Sequence, residues 1–422
     1  MLDRTIAPPA TKIQRINIPQ FSTRNLSNGV PVYFLNSGKQ EVLKVDVILA
    51  AGVKYESKPG ISYLVSRMLT AGTTQKDAAS IATELDYYGA FFESSSSFDS
   101  ISITIYCLNK FLKPVMALVS ELLTESVFPA AEMATVVRQK VNELAINDKK
   151  DSQVGARRFR QNLFGLKHPY GQILTAEDVQ AVTRDELVRF YKERLFNEPV
   201  VMVSGKADSG AVETICAALE GMPVSHHSPR EGVIESLEQT EVLKRPESVQ
   251  SAIKMGRLAI SKHHPDIHQL HIATSLLGGY FGSRLMKNIR EDKGYTYGIG
   301  ASVVHLLDAS FMMISTDVMK QYTADTVKEI GKEMRLLQDQ LVAEDELETL
   351  KNYLSGKFLS GIDTAFNIAA KFRAVKLHQL DYGYYNQFLD TINSITPDDI
   401  QSVAQKYFKP EDYSTVVVGG EL

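Results

Sequence analysis

The stretch Thr183-Arg-Asp-Glu-Leu-Val-Arg-Phe-Tyr and the apolar run Pro199-Val-Val-Met-Val-Ser-Gly that follows it return late in the chain. They reappear 213 residues after Thr183 as Thr396-Pro-Asp-Asp-Ile-Gln-Ser-Val-Ala and then Tyr413-Ser-Thr-Val-Val-Val-Gly. Asp99-Ser-Ile-Ser-Ile-Thr-Ile likewise has a counterpart in Asp308-Ala-Ser-Phe-Met-Met-Ile, 209 residues on. Solenoid repeats run about 20–50 residues, so a period near half of a 422-residue chain is a duplicated domain. The expected domains are residues 1–221 and 241–422. Between them lies a polar linker, 222–240, punctuated by prolines, histidines and glycine. Function has to be sought where the two copies differ.

A hydrophobic content of 44% and a charged content of 23% are those of an ordinary globular protein. The net charge of −4, without a Lys/Arg block, argues against nucleic-acid binding. Cys107 and Cys216 fit no disulfide or metal spacing and read as buried thiols. No run approaches 18 apolar residues, so no membrane span is expected. Residues 1–10 lack an apolar signal core, which predicts a cytoplasmic chain, or a periplasmic one if a leader has been trimmed.

Each half is expected to follow one order. A strand (43–49; 251–260) leads to an apolar-faced helix (61–69; 267–289), then to two strands (within 90–107; 297–317). Long helices follow (111–124 and 131–147; 323–341 and 344–360), and a last helix and strand close the half. The alternation Ile101-Ser-Ile-Thr-Ile-Tyr-Cys is the period of a sheet with unlike faces. The pattern predicts an α+β fold of two duplicated domains, each a mixed, mostly antiparallel sheet with helices on one face.

In Gly60-Ile-Ser-Tyr-Leu-Val-Ser-Arg-Met-Leu the apolar positions 61, 64, 65, 68 and 69 form one buried helical stripe. Tyr63, Ser66 and Arg67, spaced i, i+3, i+4, share another face. An H-x-x-E-H box uses that spacing to aim two imidazoles and a carboxylate at one zinc. This helix, the 137–148 helix, His168-Pro-Tyr-Gly and the duplication together resemble the pitrilysin/insulinase family of inverzincin metallopeptidases, in the branch of the mitochondrial processing peptidases. The resemblance spans nearly the whole chain. It puts the family's first His at Tyr63, its catalytic Glu at Ser66, its second His at Arg67 and its distal zinc-ligand Glu at or beside Glu143. Zinc takes three protein ligands of N, S or carboxylate type, and a guanidinium repels a dication. No metal is expected in this chain.

The second copy departs differently. Arg290 and Tyr297, seven positions apart, match by spacing and context a family pair that holds the substrate backbone and helps stabilise the oxyanion. A cation and a phenol donor can do this without titrating. Arg284 and Tyr295 read as structural neighbours. The edge Phe92–Ser97 corresponds to the family's peptide-adding strand but reads here as a solvated edge. His263, His264, His268 and His271 crowd one region without a carboxylate or cysteine at metal-site spacing. They read as a helix start, and His168 as a turn residue.

Lost zinc ligands beside a retained Arg/Tyr pair imply, through the resemblance, a non-catalytic subunit that binds peptide substrates and supports activity. It would supply Arg290 and Tyr297 to the zinc site of a homologous partner in a heterodimer, with a homodimer as the alternative where that partner is absent. Zinc is expected in the partner only. The competing expectation is a proteolytically inert scaffold of the same fold, like core proteins of respiratory complexes.

Overall fold

The computed structural model describes residues 18–237 and 240–422; the N-terminal segment read above for a signal core, and residues 238 and 239 of the linker, lie outside the described residues. The first sheet contains β1 (Ser22–Asn25), β2 (Pro31–Asn36), β3 (Val42–Leu49), β4 (Phe91–Ser96), β5 (Ile101–Leu108) and β6 (Val200–Gly205), in the order β1-β2-β6-β3-β5-β4. The second contains β7 (Thr240–Lys244), β8 (Gln250–Ala259), β9 (Ile299–His305), β10 (Ser310–Met319) and β11 (Ser414–Gly419), in the order β7-β11-β8-β10-β9. Each sheet has a central strand, β3 or β8, with antiparallel neighbours on both sides. Each has one parallel pair, β2 with β6 and β7 with β11. The mixed, mostly antiparallel duplicated α+β architecture is therefore present.

The repeated sequence text has a local physical meaning. Thr183 and Thr396 each accept from the backbone N–H three residues on, while Glu186 and Asp399 accept from the threonine N–H. These reciprocal capping boxes satisfy orphan donors and start the helices Arg184–Glu193 and Pro397–Tyr407. Each helix then delivers the chain into an apolar strand, β6 or β11.

Contacts divide the described chain into two units. The first holds Pro19–Leu237 and Thr364–Arg373; the second holds Ile18, residues 240–363 and Ala374–Leu422. In the first unit Ile101, Ile103, Ile105 and Cys107 of β5 face a core shared with Ile61, Leu64, Val65 and Met68. The opposite face is covered in part by the helix Ala365–Lys376. Its Phe372 stacks on Phe21 at 4.2 Å and its Phe366 lies edge-on to Tyr106 at 5.5 Å. Arg373 donates to Ser102 Oγ at 2.6 Å. The segment read as a linker is bonded to this unit, with Leu237 N–H on the Asn162 carbonyl and Arg230 N–H on the Lys54 carbonyl.

The second unit corrects one expectation. The span 267–289 is a broken helix. Ile267–Thr274 is regular, Ser275–Gly279 is a widened π-type turn, Gly278 leaves helical geometry (φ −157°, ψ 15°), and Tyr280 is extended. A second π-type stretch, Met286–Asp292, follows. Adjacent glycines weaken a helix, and here the first is also sterically required. A Cβ on Gly278 would lie 2.7 Å from the Ala301 side chain of β9.

Candidate functional site

The helix Ile61–Met68 begins at Gly60, whose φ of +93° suits glycine. Glycine has no side chain with which to cap a helix, and Glu56 takes that role. Glu56 is buried and its two carboxylate oxygens accept from Gly60 N–H at 3.2 Å and Ser62 N–H at 2.9 Å. Burial pushes the Glu56 carboxyl above its ordinary range, against these hydrogen bonds and the charge of Arg230.

The predicted buried stripe is in place, but Tyr63, Ser66 and Arg67 do not form one open working face. Tyr63 is half-buried, Ser66 is buried and only Arg67 is exposed. Ser66 Oγ donates back to the Tyr63 carbonyl at 2.8 Å, as helical serines do when no other acceptor is available. Glu143, on the helix Ala130–Asp148, is exposed. Lys140, one turn earlier, reaches between the two helices. Its ammonium is 4.2 Å from the Tyr63 ring centroid and 2.9 Å from Glu143 Oε1. Burial, then the charge of Glu143, holds the Tyr63 phenol above its ordinary value, and Arg67 opposes them. The tyrosine is a neutral phenol, not a phenolate ligand.

Two of the four positions, Tyr63 and Glu143, thus meet around a lysine. A protonated phenol, a hydroxyl committed to its own backbone, a guanidinium and one carboxylate already paired with an ammonium do not fit zinc. Among the described residues no group of three or more His, Cys, Asp or Glu side chains is arranged to hold a metal. Lys140 escaped the sequence reading because nothing in a lysine on a polar helix face signals the ring it will cover.

The histidine region separates into unrelated roles. His263 Nε2 meets the His378 carbonyl and His264 Nδ1 accepts from Asp266 N–H. His268 is buried against Tyr384 at 4.5 Å, and burial pushes its imidazole down to about 4. His271 Nε2 pairs at 2.9 Å with Nε2 of His305, a residue from the end of β9 that sequence spacing did not suggest. His168 Nδ1 accepts from Tyr170 N–H in a turn. Both cysteines are buried thiols, and burial pushes Cys107 up to about 11.

In the second unit, Arg290 lies on the second π-type stretch, a backbone form frequent at functional sites. Its guanidinium stands 4.5 Å from the ring centroid of Phe281, which is itself largely exposed. Tyr297 is 95% exposed, so its phenol is committed to no structural contact. The neighbours differ. Tyr295 stacks on Tyr322 at 4.2 Å. Arg284 makes a bidentate pair with Glu346 at 3.0 and 2.9 Å. Arg284→Gln should therefore destabilise the chain by about 1–3 kcal/mol in urea unfolding. Equal melting of wild type and variant would remove the structural assignment.

The strand β4 is a sheet edge, as its place beside β5 alone requires. Two serines of the 92–97 segment bond within the chain, whereas Ser94 Oγ is buried without a partner. Ser96 Oγ donates to Ser62 Oγ at 2.9 Å, and Ser97 Oγ donates to the Ser100 carbonyl at 2.9 Å. Among the described residues no helix is long and apolar enough to cross a membrane.

Residues 32–174 match the family described as insulinase, peptidase family M16, and residues 181–354 match the family described as peptidase M16 inactive domain. An uncharacterized zinc protease of Rickettsia felis is 21% identical over 420 residues, covering 95% of this chain and 98% of its own length. A Bacillus subtilis protein named a probable inactive metalloprotease is 23% identical over 248 residues, 57% of this chain and 56% of its own. Among solved structures, a peptidase M16 inactive domain from Pseudomonas fluorescens has a TM-score of 0.84 at 21% identity, covering 95% and 98% of the two chains. A protease from Helicobacter pylori has a TM-score of 0.86 at 20% identity, covering 96% and 100%.

Proposed function

From the premise that the chain belongs to peptidase family M16, we propose that it is a non-catalytic subunit that binds peptides and completes the zinc site of a homologous partner. The observation that carries this reading is the contrast between the two copies. Where the family's zinc box falls, an ammonium is bound between Tyr63 and Glu143. On the other copy Tyr297 presents a phenol that is 95% exposed. A donor of that kind acts on negative charge that develops in a transition state, and it needs no metal in its own chain. The partner is a chain of the same family with an intact H-x-x-E-H, and it brings the zinc.

The test is reconstitution. The purified chain is mixed with such a homologue from the same organism, and cleavage of a broad library of unfolded peptides is followed. The expected result is activity that neither chain has alone and that a chelator abolishes. A mixture that forms a stable complex and cuts nothing supports the inert scaffold instead.

A further inference from the structure

Beside the N-terminus of the Ile61–Met68 helix lies a cavity of about 220 Å³ in the first unit. Drug-sized sites run about 300–1,000 Å³, so this one suits a single amino-acid side chain or chain end. Its walls carry three cations, Lys140, Arg157 and Arg160, and one acid, Glu56. That acid is spoken for, since both its oxygens accept from the backbone of the helix start. Two of the cations are answered from outside the cavity: Lys140 by Glu143, and Arg157 by Asp148, carboxylates that are themselves about half exposed.

Among the described residues no carboxylate answers Arg160. Its guanidinium lies 5.4 Å from the Phe98 ring centroid, and one Nη donates at 3.3 Å to the Ala156 carbonyl a turn back. Its Nε is buried and has no hydrogen-bond partner. Burial, and then the like charge of Arg157, holds its pKa below the ordinary guanidinium value. A half-buried guanidinium whose Nε is shut off from water without a partner is unfavourable in the free protein. A planar fork of donors matches a carboxylate, so an anion entering the cavity would relieve the penalty and gain charge-assisted hydrogen bonds.

We propose that this cavity is an anion site for a carboxylate of a bound peptide, with Arg160 as the residue that recognises it. The peptide as carrier rests on the function proposed above; the preference for an anion does not. The carboxylate comes either from an acidic side chain or from a peptide's C-terminus, and both present the same two oxygens.

The test uses the full chain alone, with no partner and no cleavage, so a silent reconstitution leaves it untouched. Binding of acetylglutamate amide, acetylglutamine amide and acetylglutamine with a free carboxylate is measured by calorimetric titration. The expected result is that at least one of the two anions binds about tenfold or more tighter than the uncharged amide. The tighter of the two identifies the source. Arg160→Gln should erase the preference and Arg160→Lys should retain it, while Arg157→Gln, already paired elsewhere, should keep it as well. Equal affinity for all three probes, no binding of any, or a preference that survives Arg160→Gln would overturn the proposal. The wild-type comparison decides even where Arg160→Gln fails to fold.

Discussion

Replacing Tyr297 by phenylalanine should lower the turnover of the reconstituted peptidase by about 10²–10³, a loss of ~2.7–4 kcal/mol of transition-state stabilisation. The fold should not register the change. The ring is 95% exposed, and substitutions at such positions alter stability within about 0.5 kcal/mol. Phenylalanine keeps the ring and removes only the donor, so the comparison isolates one hydrogen bond. A donor used only when charge develops lowers kcat and kcat/KM together, whereas one that merely grips substrate raises KM. Arg290 gives a useful contrast. Its guanidinium rests on Phe281, an interaction of about 0.5–1 kcal/mol at an exposed site, which is small enough to give up when a substrate arrives. Turnover by Tyr297→Phe equal to wild type, in a mixture that is otherwise active, would assign the phenol no part in the chemistry.

The parts of this structure written in short-range pattern were legible in the sequence. The alternation of Ile101, Ile103 and Ile105 fixes which face of β5 is buried, and the stripe 61, 64, 65, 68 does the same for the neighbouring helix. The broken helix was missed because its cause is not local. Two glycines lower helix propensity slightly, but it is the approach of Ala301, from a strand more than twenty residues away, that makes Gly278 obligatory. The placement of Thr364–Arg373 with the first unit is equally non-local, since Phe372 and Arg373 look like any amphipathic helix until Phe21 and Ser102 are beside them.

At the candidate site the same divide holds. The identities of Tyr63, Ser66 and Arg67 tell what chemistry is missing; they do not tell what has replaced it. Lys140 and Arg160 lie on polar helix faces where a sequence reader expects solvated charge. What distinguishes them is tertiary: a ring beneath one and, among the described residues, no carboxylate opposite the other. The separation of Arg290 and Tyr297 from Arg284 and Tyr295 has the same character. Spacing nominated the first pair, and only the partners Glu346 and Tyr322 give the second pair something else to do.

Glu56→Ala should be the most damaging single change near the site, costing about 2–6 kcal/mol in urea unfolding. The estimate follows from two N–H groups, of Gly60 and Ser62, each left buried without an acceptor at ~1–3 kcal/mol. Glu56→Gln keeps one acceptor oxygen and should recover part of the loss. The pH dependence has a definite sign. Burial raises the folded-state pKa of Glu56 above its unfolded value near 4.5, so the folded protein holds this proton more tightly than the unfolded chain does. The associated stability is fully present below the unfolded pKa and is lost as pH rises through the folded one. Glu186 behaves oppositely. Its hydrogen bond from Lys58, and then that from Thr183 N–H, hold it down to about 2, and its contribution is lost only as the solution becomes strongly acidic. The penalty of Glu56→Gln relative to wild type should therefore shrink between pH 4 and pH 8, because glutamine has no proton to lose. A penalty that grows over that range would mean that the ionised carboxylate is the better cap and that burial is the weaker effect. The helix start that carries Tyr63 and borders the Arg160 cavity is thus held by a carboxyl whose grip weakens as it ionises. The pH series reads directly how firmly that wall of the site is fixed.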